Sequence, residues 1–420
     1  MPTQKAGRHS SSVGRSSNNE EGSKREMIND KNQSMKIISP TFIKAVSILA
    51  LLLILLLSSC SNVTEDVKQE ERKIFWKTST PEEQGMDSST LLEMFEYVEK
   101  QPSGIHSLLI VRNGYIVLEA YYHPHTWDQK HIINSCTKTF VSALTGIAIS
   151  KGFIKDVDSN VLDYFPEYNI SNNDELKKGI KIKHLLTMTS GIDWPQYGPN
   201  NISDRMGKSD DWIKFILDRP MASKPGDQTN YSNGDSHLLS AIIQKTTGKT
   251  ALDFGWDHFF TPLGISDVTW YRDPQGVNIG SATIYIIPRD MAKFGYLYLN
   301  KGKWGGKSIV PADWIDTSFQ SHTKMPTKGG PVDYGYYWWL YPERGLYEAW
   351  GGQGQRIGVF PELNIVTVMT SDIPTDSPRS PFFSNIYEYI VESVKSSNAL
   401  PPDAAASSEL VGWGEKVQKP

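Results

Sequence analysis

The most informative stretch of the sequence is Asn134-Ser135-Cys136-Thr137-Lys138, which stands directly before a mainly apolar run from Phe140 to Ile149. A helix that is apolar on nearly every side is expected to be buried. Asn134 is a typical N-cap residue, and Ser135 and Lys138 are three positions apart, so both side chains fall within one turn of each other. The sequence therefore predicts a buried helix that carries a hydroxyl and an amine together at its start.

This pairing of serine and lysine indicates nucleophilic chemistry. A lysine amine that burial keeps neutral can assist removal of the serine proton, and N–H groups at a helix start can stabilise an oxyanion. Ser-x-x-Lys is a weak motif by itself, and a second copy occurs at Ser321-His322-Thr323-Lys324. That copy lies in a polar stretch without an apolar helix behind it. We interpret it as a chance match.

Two later segments support a functional interpretation of the first Ser-x-x-Lys copy. Tyr231-Ser232-Asn233 precedes a helical pattern, and residues two apart in an extended segment project the same way, so the phenol and the amide can face one pocket. Further along, Trp350-Gly351-Gly352-Gln353 precedes a predicted strand, and its two glycines allow a backbone to approach a substrate closely.

In this order, the three segments resemble those of the serine β-lactamase and penicillin-binding protein superfamily, above all its class C, esterase-like and 6-aminohexanoate-oligomer-hydrolase-like members. The resemblance covers residues 74–396. It implies an α/β (α+β) fold of the β-lactamase/transpeptidase-like type: an antiparallel sheet built from the N- and C-terminal segments, flanked by helices, with an inserted helical region. The residues after 396 are predicted to form a polar tail.

The resemblance also implies roles for individual residues. Ser135 would be the nucleophile of an acyl-enzyme, Lys138 its assistant, and Tyr231 the general base that accepts and returns the proton. Asn233 would orient the substrate or Lys138, and the backbone N–H groups of Ser135 and Gln353 would form the oxyanion hole. Penicillin-recognising members usually carry Lys-Thr-Gly in the third segment, where this chain has an uncharged indole.

The third segment, Trp350 to Gly352, is therefore expected to bind substrate without recognising a carboxylate, which argues against efficient β-lactam turnover. Trp194 and Tyr197, in a predicted loop, are expected to line the substrate site. No Gly-x-Ser-x-Gly occurs in the sequence, which argues against an α/β-hydrolase.

Local patterns predict several elements. Asn113-Gly114 between β-forming residues indicates a hairpin, and a second hairpin is expected around Pro361-Glu362. Glycines that end apolar periodic stretches predict helix ends. The predicted helices are 138–151, 183–190, 236–247 and 381–395, and the predicted strands are 107–112, 115–121, 334–340, 356–360 and 364–369.

The N-terminal residues are expected to be a targeting segment rather than part of the folded domain. Residues 1–34 are polar and are expected to be disordered or an untranslated extension, with Met35 as the natural start. Residues 35–60 resemble a bacterial lipoprotein signal peptide, because an apolar run ends in Leu57-Ser58-Ser59-Cys60. Cys60 would be lipidated and residues 61–73 would be a linker, which places the protein in the cell envelope, anchored to the membrane. An uncleaved transmembrane anchor is the alternative.

The composition narrows the possible partners. The chain has 420 residues, 43 basic and 47 acidic, so it lacks the cationic field that nucleic-acid binding requires. With Cys60 and Cys136 as its two cysteines, a disulfide framework or a cysteine-based zinc site is not expected. Cys136 is predicted to be a packed residue. His123-Pro124-His125 lacks a third ligand at a recognisable spacing, so we predict no metal and no cofactor.

The sequence thus predicts a serine hydrolase that cleaves a small-molecule ester or amide through an acyl-serine. Two alternatives stay open at this point. The first is a D,D-peptidase or weak β-lactamase that acts on cell-wall peptides, and the second is a non-catalytic sensor lipoprotein with the same fold.

Overall fold

The central element is a nine-stranded sheet that joins the two ends of the chain. The structure, a computed structural model, describes residues 76–101, 104–198, 201–374 and 380–419. Its strands are β1 (Lys77–Thr78), β2 (Ile105–Arg112), β3 (Tyr115–Tyr121), β4 (His131–Ile132), β5 (Thr269–Trp270), β6 (Ile284–Ile286), β7 (Lys303–Trp304), β8 (Lys307–Ser308), β9 (Thr323–Met325), β10 (Val332–Tyr334), β11 (Trp339–Tyr341), β12 (Leu346–Gly351), β13 (Gln355–Phe360) and β14 (Ile365–Ser371).

The strand order of the large sheet is β1-β3-β2-β14-β13-β12-β11-β10-β9. Only β1 pairs in parallel within it, with β3, and the other pairs are antiparallel. The two terminal segments meet where β14 lies beside β2, with Val368 opposite Leu109. Smaller sheets consist of β4-β6-β5 and of β7-β8. The predicted α/β (α+β) fold, with one sheet made by both ends of the chain, is confirmed.

Helices cover both faces of the sheet. They are α1 (Ser88–Glu99), α2 (Thr137–Ser150), α3 (Glu175–Lys178), α4 (Ile182–Leu186), α5 (Ile202–Met206), α6 (Trp212–Leu217), α7 (Asn233–Thr247), α8 (Ala251–Gly255), α9 (Pro288–Leu299), α10 (Ala312–Ser318), α11 (Pro381–Glu392) and α12 (Ala404–Val417).

Two neighbouring residues of β13 show how the faces are used. Successive strand residues point to opposite sides of a sheet. Ile357 lies beside Gly295 of α9, where a Cβ on the glycine would come within 2.9 Å of it. Arg356 instead packs its guanidinium over the ring of Phe383 of α11, 4.1 Å from the ring centroid. Therefore α9 covers one face and α11 the other, where α1 also packs.

The inserted helical region lies between β4 and β9 in the chain. Its α2 is buried along residues 137–148 and packs against α7, as the apolar pattern predicted. The helices predicted at 138–151 and 236–247 are confirmed within a few residues, and α7 ends at Gly248, whose φ of 70° is the predicted left-handed end. Both hairpins are also confirmed, and the turn residues Asn113 and Gly114 have φ values of 52° and 81°.

Two local predictions need correction. The helix expected at 183–190 ends at Leu186, because Met188 takes a left-handed φ of 56°. The strand expected at 334–340 is interrupted between β10 and β11 by a turn in which Tyr337 has a φ of 69°. Neither residue is a glycine, so the sequence gives little sign of the turns.

The expected polar tail also differs from the structure. Residues 404–417 form α12, which packs against α1 and β3. Leu410 is buried, and Trp413 stacks on Phe95 of α1 with ring centroids 5.4 Å apart. The folded domain therefore extends past the predicted boundary at 396.

The predicted segments 1–34, 35–60 and 61–73 lie outside the described residues, so the proposed lipidation of Cys60 stays a prediction. Among the helices that the structure does describe, none has the length and apolarity needed to span a bilayer.

Candidate active site

Ser135, the predicted nucleophile, lies on a tight turn that leads into α2. Asn134–Cys136 form a single 3-10 turn, and Asn134 has a left-handed φ of 45°. Its side chain does not cap the helix, contrary to the N-cap prediction, but donates a 2.7 Å hydrogen bond to the carbonyl oxygen of Gly352. This bond ties the turn that carries Ser135 to the loop after β12.

Cys136 attaches the same turn to the sheet. Its thiol is completely buried and lies 3.4 Å from the carbonyl oxygens of Ala349 on β12 and Gln355 on β13. Burial raises the pKa of this thiol, which opposes formation of a reactive thiolate. The structure supports the predicted role of Cys136 as a packed residue.

Lys138 is buried and its amine has three close partners. Nζ lies 3.0 Å from the Ser135 Oγ, 2.9 Å from the Asn233 Oδ1 and 3.0 Å from the carbonyl oxygen of Ser281. Burial lowers the pKa of the amine from 10.5 to about 7, because the charged form loses its hydration. A neutral amine is therefore readily populated near neutral pH.

The three partners also determine how a neutral amine would be oriented. The oxygens of Asn233 and Ser281 can only accept, so they take the two N–H bonds. The remaining lone pair then faces the Ser135 hydroxyl, which is the one partner able to donate. The geometry is that of a general base for Ser135.

Tyr231 reaches Ser135 from a distant segment of the chain. Its side chain is 8% exposed, its hydroxyl hydrogen-bonds to Ser135, and its ring centroid lies 4.8 Å from the Lys138 Nζ. Burial raises the pKa of the phenol, so its neutral form is favoured. The predicted convergence of a hydroxyl, an amine and a phenol is present in the structure.

The start of α7 holds Tyr231 and Asn233 in place. The Ser232 hydroxyl accepts a 3.0 Å hydrogen bond from the Asp235 backbone N–H and so caps the helix. Tyr231 and Asn233, the residues on either side of Ser232, both face Lys138. Of the two roles predicted for Asn233, the observed one is orientation of Lys138.

Sequence reasoning missed three supporting residues. The Asn233 Nδ2 donates to the Ser203 Oγ at 3.1 Å, and its backbone N–H donates to the Gln196 Oε1 at 3.2 Å. Ser281 contributes a backbone carbonyl to Lys138, a contact that no residue type encodes. Gln196 and Ser203 lie on a loop and helix between the motifs, where the sequence gives no spacing signal.

The third motif lies directly beside the nucleophile. A Cβ on Gly351 would come within 2.3 Å of the Ile133 carbonyl oxygen and 3.2 Å of the Ser135 backbone nitrogen, so only glycine fits there. Gln353 takes a left-handed φ of 64°, and its carbonyl oxygen accepts from the Ser371 hydroxyl at 2.6 Å. This arrangement fixes the loop that carries Gln353, one of the two predicted oxyanion donors.

The comparison with known proteins agrees with this geometry. A family model described as Beta-lactamase matches residues 97–381, more than half of the chain. The chain belongs to the beta-lactamase family.

Individual relatives share only parts of the chain. Protein flp from Staphylococcus aureus (strain MW2) is 29% identical over 172 residues, which cover 39% of this chain and 34% of that protein. The 6-aminohexanoate-dimer hydrolase of Paenarthrobacter ureafaciens is 23% identical over 295 residues, or 65% of this chain and 74% of that enzyme. The crystal structure of a family VIII carboxylesterase matches 75% of this chain and 98% of its own, with a TM-score of 0.60 and 16% identity.

Aromatic residues line one side of the site. Trp350 is buried and packs edge-on against Trp339 with centroids 5.6 Å apart. The Tyr231 ring stacks on Trp339, with ring centroids 6.2 Å apart, and also on Tyr197, with ring centroids 6.3 Å apart. These four rings form an aromatic wall next to the nucleophile.

Trp194 is not part of this wall. It is 1% exposed and lies under the first turn of α7, where a Cβ on Gly234 would come within 2.8 Å of it. Its indole N–H donates to the Gln196 Oε1 at 2.8 Å. Trp194 is therefore a packing residue, whereas Tyr197 is 69% exposed and lies at the edge of the site.

The second Ser-x-x-Lys copy has no such surroundings. Ser321 is exposed and donates to the Asp333 Oδ1 at 2.6 Å, and the exposed Lys324 forms a 3.4 Å ion pair with the same carboxylate. This copy lies at the β9 edge of the sheet, which supports its interpretation as a chance match.

Proposed function

We propose that this chain cleaves an ester or amide bond through an acyl-Ser135 intermediate. The proposal rests mainly on one observation: two of the three partners of the buried Lys138 amine are carbonyl oxygens, so its neutral form directs its lone pair at the Ser135 hydroxyl. The membership of the chain in a family of serine hydrolases supports the same conclusion.

In the acylation step, the Ser135 Oγ attacks the substrate carbonyl carbon while its proton passes to the Lys138 Nζ. The negative charge that develops on the carbonyl oxygen is stabilised by the N–H groups of Ser135 and Gln353. Collapse of the tetrahedral intermediate breaks the bond to the leaving group, which must gain a proton as it departs.

Tyr231 is placed to supply that proton. Because burial raises its pKa, we assign it the role of a neutral donor that receives a proton in turn from Lys138, rather than the role of a phenolate base. Deacylation reverses the path: water loses a proton to the same relay, attacks the acyl carbon, and returns Ser135 to its hydroxyl form. This assignment of Lys138 as base differs from the sequence-based interpretation of Tyr231 as general base, which stays a prediction.

The aromatic wall supports a substrate with an apolar or aromatic group beside the scissile bond. Trp350 offers no positive charge to a carboxylate, which disfavours β-lactams and D,D-peptides as good substrates. The names of the carboxylesterase and of the 6-aminohexanoate-dimer hydrolase agree with an ester or amide as the reacting group.

The predicted cell-envelope location forms part of the proposal. Lipidation of Cys60 would tether the hydrolase to a membrane, and intact-mass analysis of the protein from a bacterial host tests it. A mature chain that begins at a diacylated Cys60 is expected, and an uncleaved chain would favour the transmembrane alternative.

Labelling with a fluorophosphonate probe tests the catalytic proposal. The wild-type protein is expected to form an adduct that maps to Ser135 and is lost in Ser135→Ala. Ser321→Ala is the matched control and is expected to label normally. A wild-type protein that fails to label and does not hydrolyse p-nitrophenyl esters would support the sensor alternative, and rapid nitrocefin turnover would support the β-lactamase alternative.

A further inference from the structure

Three histidines from separate segments meet beside the large sheet. His106 belongs to the start of β2, His125 to the loop after β3, and His131 to β4. One ring nitrogen from each lies within 4.8 Å of the others. The His106 and His125 rings stack with centroids 3.7 Å apart, and the His131 ring lies 5.3 Å and 5.2 Å from them.

The hydrogen bonding of this histidine cluster is incomplete. Within the described part of the chain, the Nδ1 of His106 and the Nε2 of His131 are buried and have no hydrogen-bond partner. His131 is only 8% exposed. A buried polar atom without a partner costs free energy, so two such atoms in one cluster require an explanation.

The surroundings favour neutral imidazoles. Burial, together with the neighbouring rings, lowers the pKa of His131 to about 4, and the pKa of His106 is lowered for the same reasons. Mutual repulsion would oppose three charged rings at these distances, whereas neutral imidazole is the form that binds metals. A purely packed cluster would account for the stacking but would leave the two orphaned nitrogens unexplained.

In His106 and His125, the second ring nitrogen faces a side-chain oxygen of the kind that orients metal ligands. The Nε2 of His106 faces the Asp372 carboxylate at 3.7 Å, and the Nδ1 of His125 lies 3.1 Å from the Gln129 Oε1. Metal-binding histidines usually donate their second N–H to such oxygens. In both residues the opposite ring nitrogen is then left for an ion.

We propose that His106, His125 and His131 bind a divalent transition-metal ion of the zinc class. Imidazole nitrogens suit zinc, and its usual bond length of about 2.0–2.1 Å places tetrahedral ligand atoms about 3.3 Å apart. The ring nitrogens must therefore move closer together by up to about 1.5 Å, which the loop position of His125 permits. Water would take the fourth position.

The site would have a structural role close to the nucleophile. His131 lies four positions before Ser135, and between them the Ile133 N–H donates to the Ile284 carbonyl oxygen at 2.9 Å. An ion bound at the histidines would cross-link β2, the loop and β4, and so would restrain the strand that leads into the catalytic turn. The chemistry proposed for Ser135 does not depend on this ion.

Zinc titration of the chelator-treated full chain tests the proposal. Calorimetry and elemental analysis are expected to give one equivalent of zinc per chain, with an increase in the thermal unfolding midpoint. His125→Gln removes one ligand from a half-buried loop residue and is expected to weaken zinc binding by more than about tenfold. His123→Gln, an exposed histidine of the same loop, is the matched control and should bind as the wild type does.

A spectroscopic measurement keeps the test independent of variant folding. Co²⁺ added to the wild-type protein is expected to give the intense visible absorption of tetrahedral nitrogen coordination and to be displaced by zinc. The proposal is overturned if the wild type shows no saturable binding, or if a folded His125→Gln binds zinc as tightly as the wild type.

Discussion

Substitution of Asn233 by aspartate places a carboxylate next to the Lys138 amine, because the amide oxygen that it replaces lies 2.9 Å from Nζ. An opposite charge at this range stabilises the protonated amine and raises its pKa by about 1–3 units. From a starting value of about 7, the pKa of Lys138 is expected to rise to between about 8 and 10.

The kinetic consequence follows from the fraction of neutral amine. Near pH 7 that fraction falls from about one half to between about one tenth and one thousandth, so kcat/KM should fall by about 5- to 500-fold. The loss should disappear at alkaline pH, where the amine of the variant also becomes neutral. A substitution that merely disrupts folding would not recover in this way.

The assay is the pH dependence of kcat/KM for a p-nitrophenyl ester, measured for the wild type, Asn233→Asp and a control. Asn169→Asp adds the same charge at an exposed position and should leave the profile unchanged. An acid limb at the same pH in the wild type and in Asn233→Asp would show that Lys138 is not the titrating base, and would refute the reasoning.

Three further substitutions test other parts of the account. Gly351→Ala should lower kcat in the same ester assay about 100-fold or more, because its Cβ would lie 2.3 Å from the Ile133 carbonyl oxygen and would displace the loop that carries Gln353. Gly352→Ala is the control and should retain activity, because a Cβ there meets open space. Lys138→Met should abolish activity but increase stability in urea near neutral pH. Burial lowers the pKa of Lys138 in the folded wild type, so between about pH 7 and pH 10.5 the unfolded chain holds more protons than the folded chain. The free energy of unfolding of the wild type should therefore rise with pH in this range, by up to about 1.4 kcal/mol per pH unit, and the variant should lack this slope. Leu410→Ala should cost about 2–4 kcal/mol of unfolding free energy in urea, against little for the exposed Val411→Ala; equal effects would contradict packing of α12.

Much of the fold could be predicted because local signals and tertiary structure agree. Asn113-Gly114 favours the left-handed conformations of a tight hairpin, and the hairpin forms there. The apolar run after Lys138 could only be buried as a helix, and α2 is buried. In these segments each residue type favours the conformation that the whole fold requires.

The errors lie where distant contacts override local preference. Met188 and Tyr337 adopt left-handed conformations that their side chains disfavour, and no glycine indicated these turns. α12 was missed because small residues and two glycines interrupt its apolar positions, and its packing depends on Phe95 and other partners far away in the chain.

The candidate site could likewise be predicted only in part. Ser135, Lys138 and Tyr231 could be predicted because each lies in a short motif of specific residue types. The Ser281 carbonyl could not, because any residue supplies that group, and the contribution of His106 to the histidine cluster could not, because it arises from strand pairing rather than from spacing.

The most direct measurement of the central claim is the location of the acyl group during turnover. Acid quenching of the reaction with a slowly hydrolysed aryl ester, followed by peptide mass spectrometry, should find the acyl mass on the peptide that contains Ser135. The acyl group should be absent in Ser135→Ala. An acyl group on Tyr231 or another residue, or hydrolysis that persists at the wild-type rate in Ser135→Ala, would contradict the account.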